Sequence, residues 1–126
     1  MSSYPPFNLA YPRTELRRRL VEAVLAGAKT STSGLFEEYE QEGEAVPSTG
    51  DRFLLEGYDD EPIVVVEVTE ARVVPASEID EAFAREEGEG FETVDDWRVA
   101  HEEFFGRPIA PDTRIVAIRF QVAEVL

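Results

Sequence analysis

Prolines, not a periodic pattern, dominate the start of the chain. Pro5, Pro6 and Pro12, with Phe7 and Tyr11 between them, deny the opening residues a helix or a strand ladder and predict an irregular arm over 1–13, laid on a domain of 14–126. From Thr14 the spacing changes. Leu16, Leu20 and Val24 recur every fourth residue, Val21 and Ala23 widen the apolar stripe, and Glu15, Arg17, Arg18, Arg19 and Glu22 fall mostly opposite it. This predicts an amphipathic helix, with Thr14 as its N-cap and Gly27 as the left-handed residue beyond its end. The polar, β-branched run from Ala28 to Gly34 leads toward Leu35, Phe36 and Tyr39 and reads as a loop entering a strand. Residues 40–51 are acidic and rich in Gly, Pro, Ser and Thr, which predicts a surface loop and a turn.

Alternation then takes over. Phe53 to Tyr58, a turn at Asp59 to Pro62, and a return through Ile63 to Thr69 form a β-hairpin signal, and the valines of the second strand predict burial on both faces at first, with an extension to Val74. Pro75 to Ser77 open a short helix carrying Ile79, Ala82 and Phe83. Arg85 to Gly90 is an acidic, glycine-rich loop. Thr93 and Asp96 form a capping box for a second amphipathic helix, whose apolar face holds Val94, Trp97, His101, Phe104 and Phe105 and which ends near Gly106-Arg107-Pro108. Residues 114–122 put Val116, Ile118, Phe120 and Val122 on one face, a half-buried strand. The order lacks regular βαβ units, so the fold class is α+β: a mostly antiparallel, curved sheet, closed or nearly closed into a small barrel, with helices across its mouth.

A length of 126 residues and a hydrophobic fraction of 43% suit a single core. There is no cysteine, which excludes disulfides and thiolate chemistry, and the single histidine, His101, excludes a multi-His metal site. No run approaches the ~18 apolar residues of a membrane span, and no signal-peptide pattern opens the chain, so the expectation is a cytoplasmic protein. Charge changes the picture most. Acidic residues number 27 against 12 basic ones, a formal net charge of −15, which repels polyanions and argues against long duplex DNA as a partner; it also simply keeps a small domain soluble. Lys29 is the only lysine.

Lys29 stands in Gly27-Ala28-Lys29-Thr30-Ser31-Thr32, directly after a helix end and beside three hydroxyls. A partly desolvated lysine can serve as a base or hold an anion, and a hydroxyl nucleophile needs such a partner. The same residues also fit a structural role, with Lys29 on the free carbonyls of its helix and the hydroxyls capping a turn. The loop Glu86-Glu87-Gly88-Glu89-Gly90 offers carboxylates that would orient Lys29, or else a solvated acidic surface. His101 shares a helical face with Trp97, which suits a core histidine with a hydrogen-bond partner as well as a catalytic one.

Taken together, the Thr-Glu-Leu-Arg helix start, Gly-Ala-Lys-Thr-Ser-Thr-Ser at 27–33, Gly-Asp at 50–51, Glu-Gly-Glu-Gly at 87–90 and Val-Asp-Asp-Trp-Arg-Val-Ala-His-Glu-Glu-Phe-Phe at 94–105 resemble the ASCH family. The resemblance runs from Thr14 to the C-terminus. It implies a β-barrel similar to the RNA-binding PUA domain, with a cleft beside the Gly-x-Lys-x-x-Thr loop. Members with assigned activities act on RNA or its components, some as metal-dependent ribonucleases and some short ones as amidohydrolases that deacetylate acetylcytidine. In the latter, the motif residues fall on Lys29, Thr32 and Glu87, which implies Thr32 as nucleophile, Lys29 as its base and Glu87 as the group positioning the lysine or the leaving amine. Gly27, Thr30, Ser31, Ser33, Glu89, Trp97, Arg98 and His101 complete the expected substrate-binding set. This chain is longer than the compact amidohydrolases and carries an inserted loop at 40–50.

Three functions follow: a hydrolase of modified nucleosides, a ribonuclease, and a non-catalytic RNA or nucleotide binder. The charge favours the first, because a nucleoside carries no phosphate while an RNA strand carries one per residue. A ribonuclease would need a divalent metal such as manganese, or Arg13, Arg17, Arg18, Arg19, Arg52 and Arg98 gathered on one face; the hydrolase is expected to need no cofactor. The expected partner is a modified nucleoside or a short RNA, with no membrane, for a monomer or homodimer.

Overall fold

A computed structural model describes residues 4–7, 9–10 and 13–126. Helix α1 (Glu15–Leu25) begins where the Thr14 side chain accepts the Arg17 amide, and Gly27 follows it at φ +80°. Strand β1 (Ser31–Leu35), helix α2 (Phe36–Glu42), the hairpin β2 (Arg52–Glu56) and β3 (Pro62–Pro75), helices α3 (Glu81–Glu86) and α4 (Val94–Phe105), and strand β4 (Arg114–Val125) complete the chain. The capping box of α4 forms as its sequence predicts, with Thr93 and Asp96 each bonding the other's backbone amide.

The four strands form one antiparallel sheet in the order β1-β4-β3-β2. Register shifts between Val65 and Val66 and between Val68 and Glu70 bend the long β3–β4 ladder, and the sheet curls into a half-barrel. The expected α+β class and antiparallel curvature are therefore present, while closure stops halfway, leaving β1 and β2 as edges. Pro5 and Phe7 of the arm bond Leu54 from the β2 side, and Phe7 packs its ring against Phe53 and Phe120. Tyr11 and Pro12, also assigned to the arm, lie outside the described residues.

Each face of the sheet covers its own core. One holds Phe7, Leu9, Leu20, Val21, Val24, Val66, Val116, Ile118 and Phe120; the other holds Leu35, Ile79, Phe83, Trp97, Ile109, Ile115 and Ala117. Consecutive residues of β4 thus enter opposite cores, so 115–118 is buried on both faces instead of one, and Val122 lies at an exposed end.

Other expectations are corrected by tertiary packing. Phe36 and Tyr39 do not extend the strand; they lie three apart on α2 and pack together on the first core, while Gly43 at φ +66° ends that helix. The single helix expected after Pro75 is a short 3₁₀ turn followed by α3, which Asp80 caps. Arg17 leaves the polar face of α1: it is buried, and its guanidinium bonds the Ala10 and Gly57 carbonyls and Asp60. Phe104 is 55% exposed, off the buried face that α4 presents through Trp97 and His101.

Candidate functional site

The turn after α1 is fastened from two sides. Ala28 and Lys29 donate their amides to Ala23 of α1, while Thr30 donates to Glu86 at the end of α3. Gly88 sits at φ +70° against this turn, where an added Cβ would lie 2.6 Å from the Ala28 oxygen and 2.7 Å from the Lys29 Cα. Only glycine permits that approach, and it drives Glu87 and Glu89 toward Lys29.

Lys29 is buried, and its ammonium donates to the Ser31 carbonyl at 2.9 Å, the Glu87 carbonyl at 3.1 Å and Glu89 Oε2 at 3.4 Å. Glu87 Oε1 lies 3.7 Å from it. Its three donors are thereby occupied, and none reaches the carbonyls of α1 that a capping role would use. Glu87 is equally buried: Trp97 Nε1 and Ser33 Oγ both donate to its Oε2 at 2.7 Å, and His101 Nε2 lies 3.3 Å from Oε1. His101 Nδ1 lies 2.8 Å from the Trp97 carbonyl, an acceptor only, so Nδ1 carries a proton and Nε2 faces Ser33 Oγ at 3.2 Å.

Burial opposes the charge on Glu87, but the hydrogen bond from His101, the Lys29 charge and the Ser33 hydroxyl outweigh it and hold the carboxyl below its ordinary value. Burial likewise pushes His101 down, and the Glu87 carboxylate outweighs that, leaving the imidazole raised.

Period two along β1 divides the predicted hydroxyls. Ser31 and Ser33 share the face of this cluster, where buried Ser31 bonds the Phe83 carbonyl. Thr32 lies on the other face, opposite Ile118, and among the described residues its hydroxyl has no hydrogen-bond partner on Lys29 or Glu87. A cavity of about 710 Å³ runs along the free edge of β1 and reaches both Thr32 and Ser33. Phe7, Phe53, Phe104, Phe105 and Tyr39 supply its aromatic lining, and Glu38, Glu42 and Glu44 its acidic side. These lining residues escape a sequence reading because they come from the arm, the acidic run and distant elements, and the spacing along α4 places Phe104 on the apolar face rather than at a cavity. A smaller hollow of about 370 Å³ lies across the turn, lined by Leu25, Gly27, Lys29, Thr30 and Phe120, and is mostly apolar.

Of the remaining predicted residues, Gly27 and Thr30 shape the turn, and Trp97 positions Glu87 from the core. Arg98 is not brought to the site: it pairs with Asp95 and Glu102 along its own helix. Among the described residues no group of three or more His, Asp and Glu is arranged to hold a metal ion.

A family model described as the ASCH domain matches residues 8–124. An ASCH domain from Lactobacillus crispatus is similar in structure, with 26% identity and a TM-score of 0.82, over 97% of this chain and 80% of that one. A protein from Enterococcus faecalis is 27% identical with a TM-score of 0.78, over 88% of this chain and 71% of that one. A hypothetical protein 18% identical, at a TM-score of 0.60 over 82% of this chain and 91% of its own, shares the fold alone. None of the curated proteins matches. The half-barrel is thus the PUA-like fold that the motifs implied, and the chain belongs to the ASCH domain family.

Proposed function

We propose that this protein is a hydrolase that removes an acyl group from the amino group of a modified nucleoside, of the acetylcytidine type, in the large cavity along the edge of β1. The observation that carries the reading is the position of the cavity: it joins hydroxyls of β1, backed by the buried Lys29–Glu87–His101 cluster, to an aromatic lining and an acidic side. A space of about 710 Å³ suits a nucleoside. The aromatic rings suit the faces of a base, and Glu38, Glu42 and Glu44 disfavour phosphates.

The ribonuclease reading gains less support. Arg13, Arg17, Arg18, Arg52 and Arg98 each pair with a carboxylate, which lowers their capacity to track a phosphate backbone. The residues present do not fit a resident metal, since Glu87 is already engaged by Trp97, Ser33, Lys29 and His101. The test is hydrolysis of acetylcytidine and of a short single-stranded RNA, with and without manganese, by the native protein and by Lys29→Ala, with melting curves for both. Release of cytidine that the folded variant loses is the expected result. RNA cleavage without cytidine release replaces the hydrolase by a ribonuclease, and a nucleoside that raises Tm without turnover makes the protein a binder.

A further inference from the structure

Resemblance alone assigns the attacking hydroxyl to Thr32, yet the pleat of β1 turns Thr32 away from the face that carries Lys29, Glu87 and His101. A hydroxyl becomes a nucleophile when a base lies within hydrogen-bond reach of it and a third group fixes that base. Ser33 is the β1 hydroxyl that meets both conditions and also opens onto the large cavity. Its Oγ lies 3.2 Å from His101 Nε2, and the Trp97 carbonyl, 2.8 Å from Nδ1, sets the tautomer that leaves Nε2 as the acceptor in the neutral ring. In the resting cluster Ser33 donates its proton to Glu87 Oε2 at 2.7 Å while Trp97 Nε1 donates to Oγ at 3.2 Å, and rotation of the hydroxyl about its Cβ–Oγ bond turns that proton from Glu87 to Nε2 of the neutral ring.

We propose that Ser33 is the nucleophile and His101 its general base, an assignment that rests on the acyl-hydrolase reading and specifies its chemistry. Ser33 Oγ forms a bond to the acyl carbon of the substrate amide, and its proton passes to His101 Nε2. The C–N bond breaks, and the amine of the nucleoside leaves with that proton. Water then attacks the Ser33 ester and gives a proton to Nε2; as the C–Oγ bond breaks, Oγ recovers the proton and the carboxylic acid departs. Lys29 takes no proton in this sequence. Its three occupied donors hold the Glu87 loop against β1, which makes it a positioning residue for Glu87 and, through it, for Ser33.

The experiment acylates the native protein with p-nitrophenyl acetate, a probe independent of the natural substrate, and locates the adduct by fragmentation mass spectrometry of the peptide following Lys29. Turnover of acetylcytidine is measured alongside. The expected result is an acetyl group on Ser33 in the native protein, with loss of that adduct and a fall in turnover on the order of a thousandfold in Ser33→Ala, an adduct that a purely structural serine would not give. Because the native protein itself carries the label, an unstable variant does not remove the test. An adduct on Thr32, or turnover that survives Ser33→Ala, overturns the assignment while leaving the hydrolase intact. Labelling of Ser33 without acetylcytidine turnover retains the nucleophile and overturns the substrate. The absence of both adduct and turnover overturns both.

Discussion

His101 couples stability to chemistry at the scale of one residue. The groups that face it are the carboxylates of Glu87 and Glu89 from the glycine-rich loop and the hydroxyl of Ser33 on β1, with Lys29 paired to both carboxylates. Its folded pKa is raised above the ordinary 6.5, so its contribution to stability is complete below that value and is lost as pH rises through the raised one. Glu87 has the opposite sign: held below 4.5, it stabilises above that value, and its contribution is lost as pH falls through the lowered one. Both contributions are complete between pH 4.5 and 6.5. The Tm advantage of the native protein over His101→Asn should be greatest in that window and shrink above it. Acylation of Ser33 should rise over the same alkaline range, because only the neutral imidazole accepts its proton. Melting curves and labelling rates across pH check this; parallel rather than opposite trends would separate His101 from the nucleophile.

Two elements far apart in the chain meet through one glycine. The loop between α3 and α4 lies on the turn between α1 and β1 because Gly88 lacks a side chain and holds φ +70° there. Gly88→Ala should destabilise the domain by about 2 kcal/mol or more, combining backbone strain with overpacking against Ala28 and Lys29. Gly90 provides the contrast, since it has a positive φ but open space around its Cα. Gly90→Ala should cost only the conformational part, about 1 kcal/mol. Equal losses in chemical denaturation would mean that the close approach does not hold the two loops together. By contrast, the starts of α1 and α4 depend on their own residues, through the Thr14 cap and the Thr93–Asp96 box, which is why both were legible from spacing.

Over the whole molecule, the half-barrel leaves an edge that the arm partly covers. Phe7 is 9% exposed and packs between Phe53 and Phe120, so the arm contributes to the core as well as lining the large cavity. Phe7→Ala should lower stability by about 3 kcal/mol, measured by denaturant unfolding, and should weaken nucleoside binding as the cavity loses a ring. An unchanged midpoint would reduce the arm to a surface segment. No helix among the described residues is long and apolar enough to cross a membrane.

What the chain determined by itself is what local forces determine: the capped amphipathic helices α1 and α4, the alternating hairpin, and the glycine-bounded turn that carries Lys29. Capping, helical period and strand alternation each act within a few residues, so their pattern survives in one dimension. Tertiary structure alone decided the rest. Leu35 ends its strand and Phe36 begins a helix because both residues find different cores; Arg17 is buried because distant carbonyls receive it; and β4 is apolar on both faces because a core lies on each. Which hydroxyl faces His101 and Glu87 was hidden for the same reason. Thr32 and Ser33 are neighbours in the chain and chemically alike, and only the pleat of β1, set by its pairing with β4 while Gly88 brings Glu87 to one face, separates them.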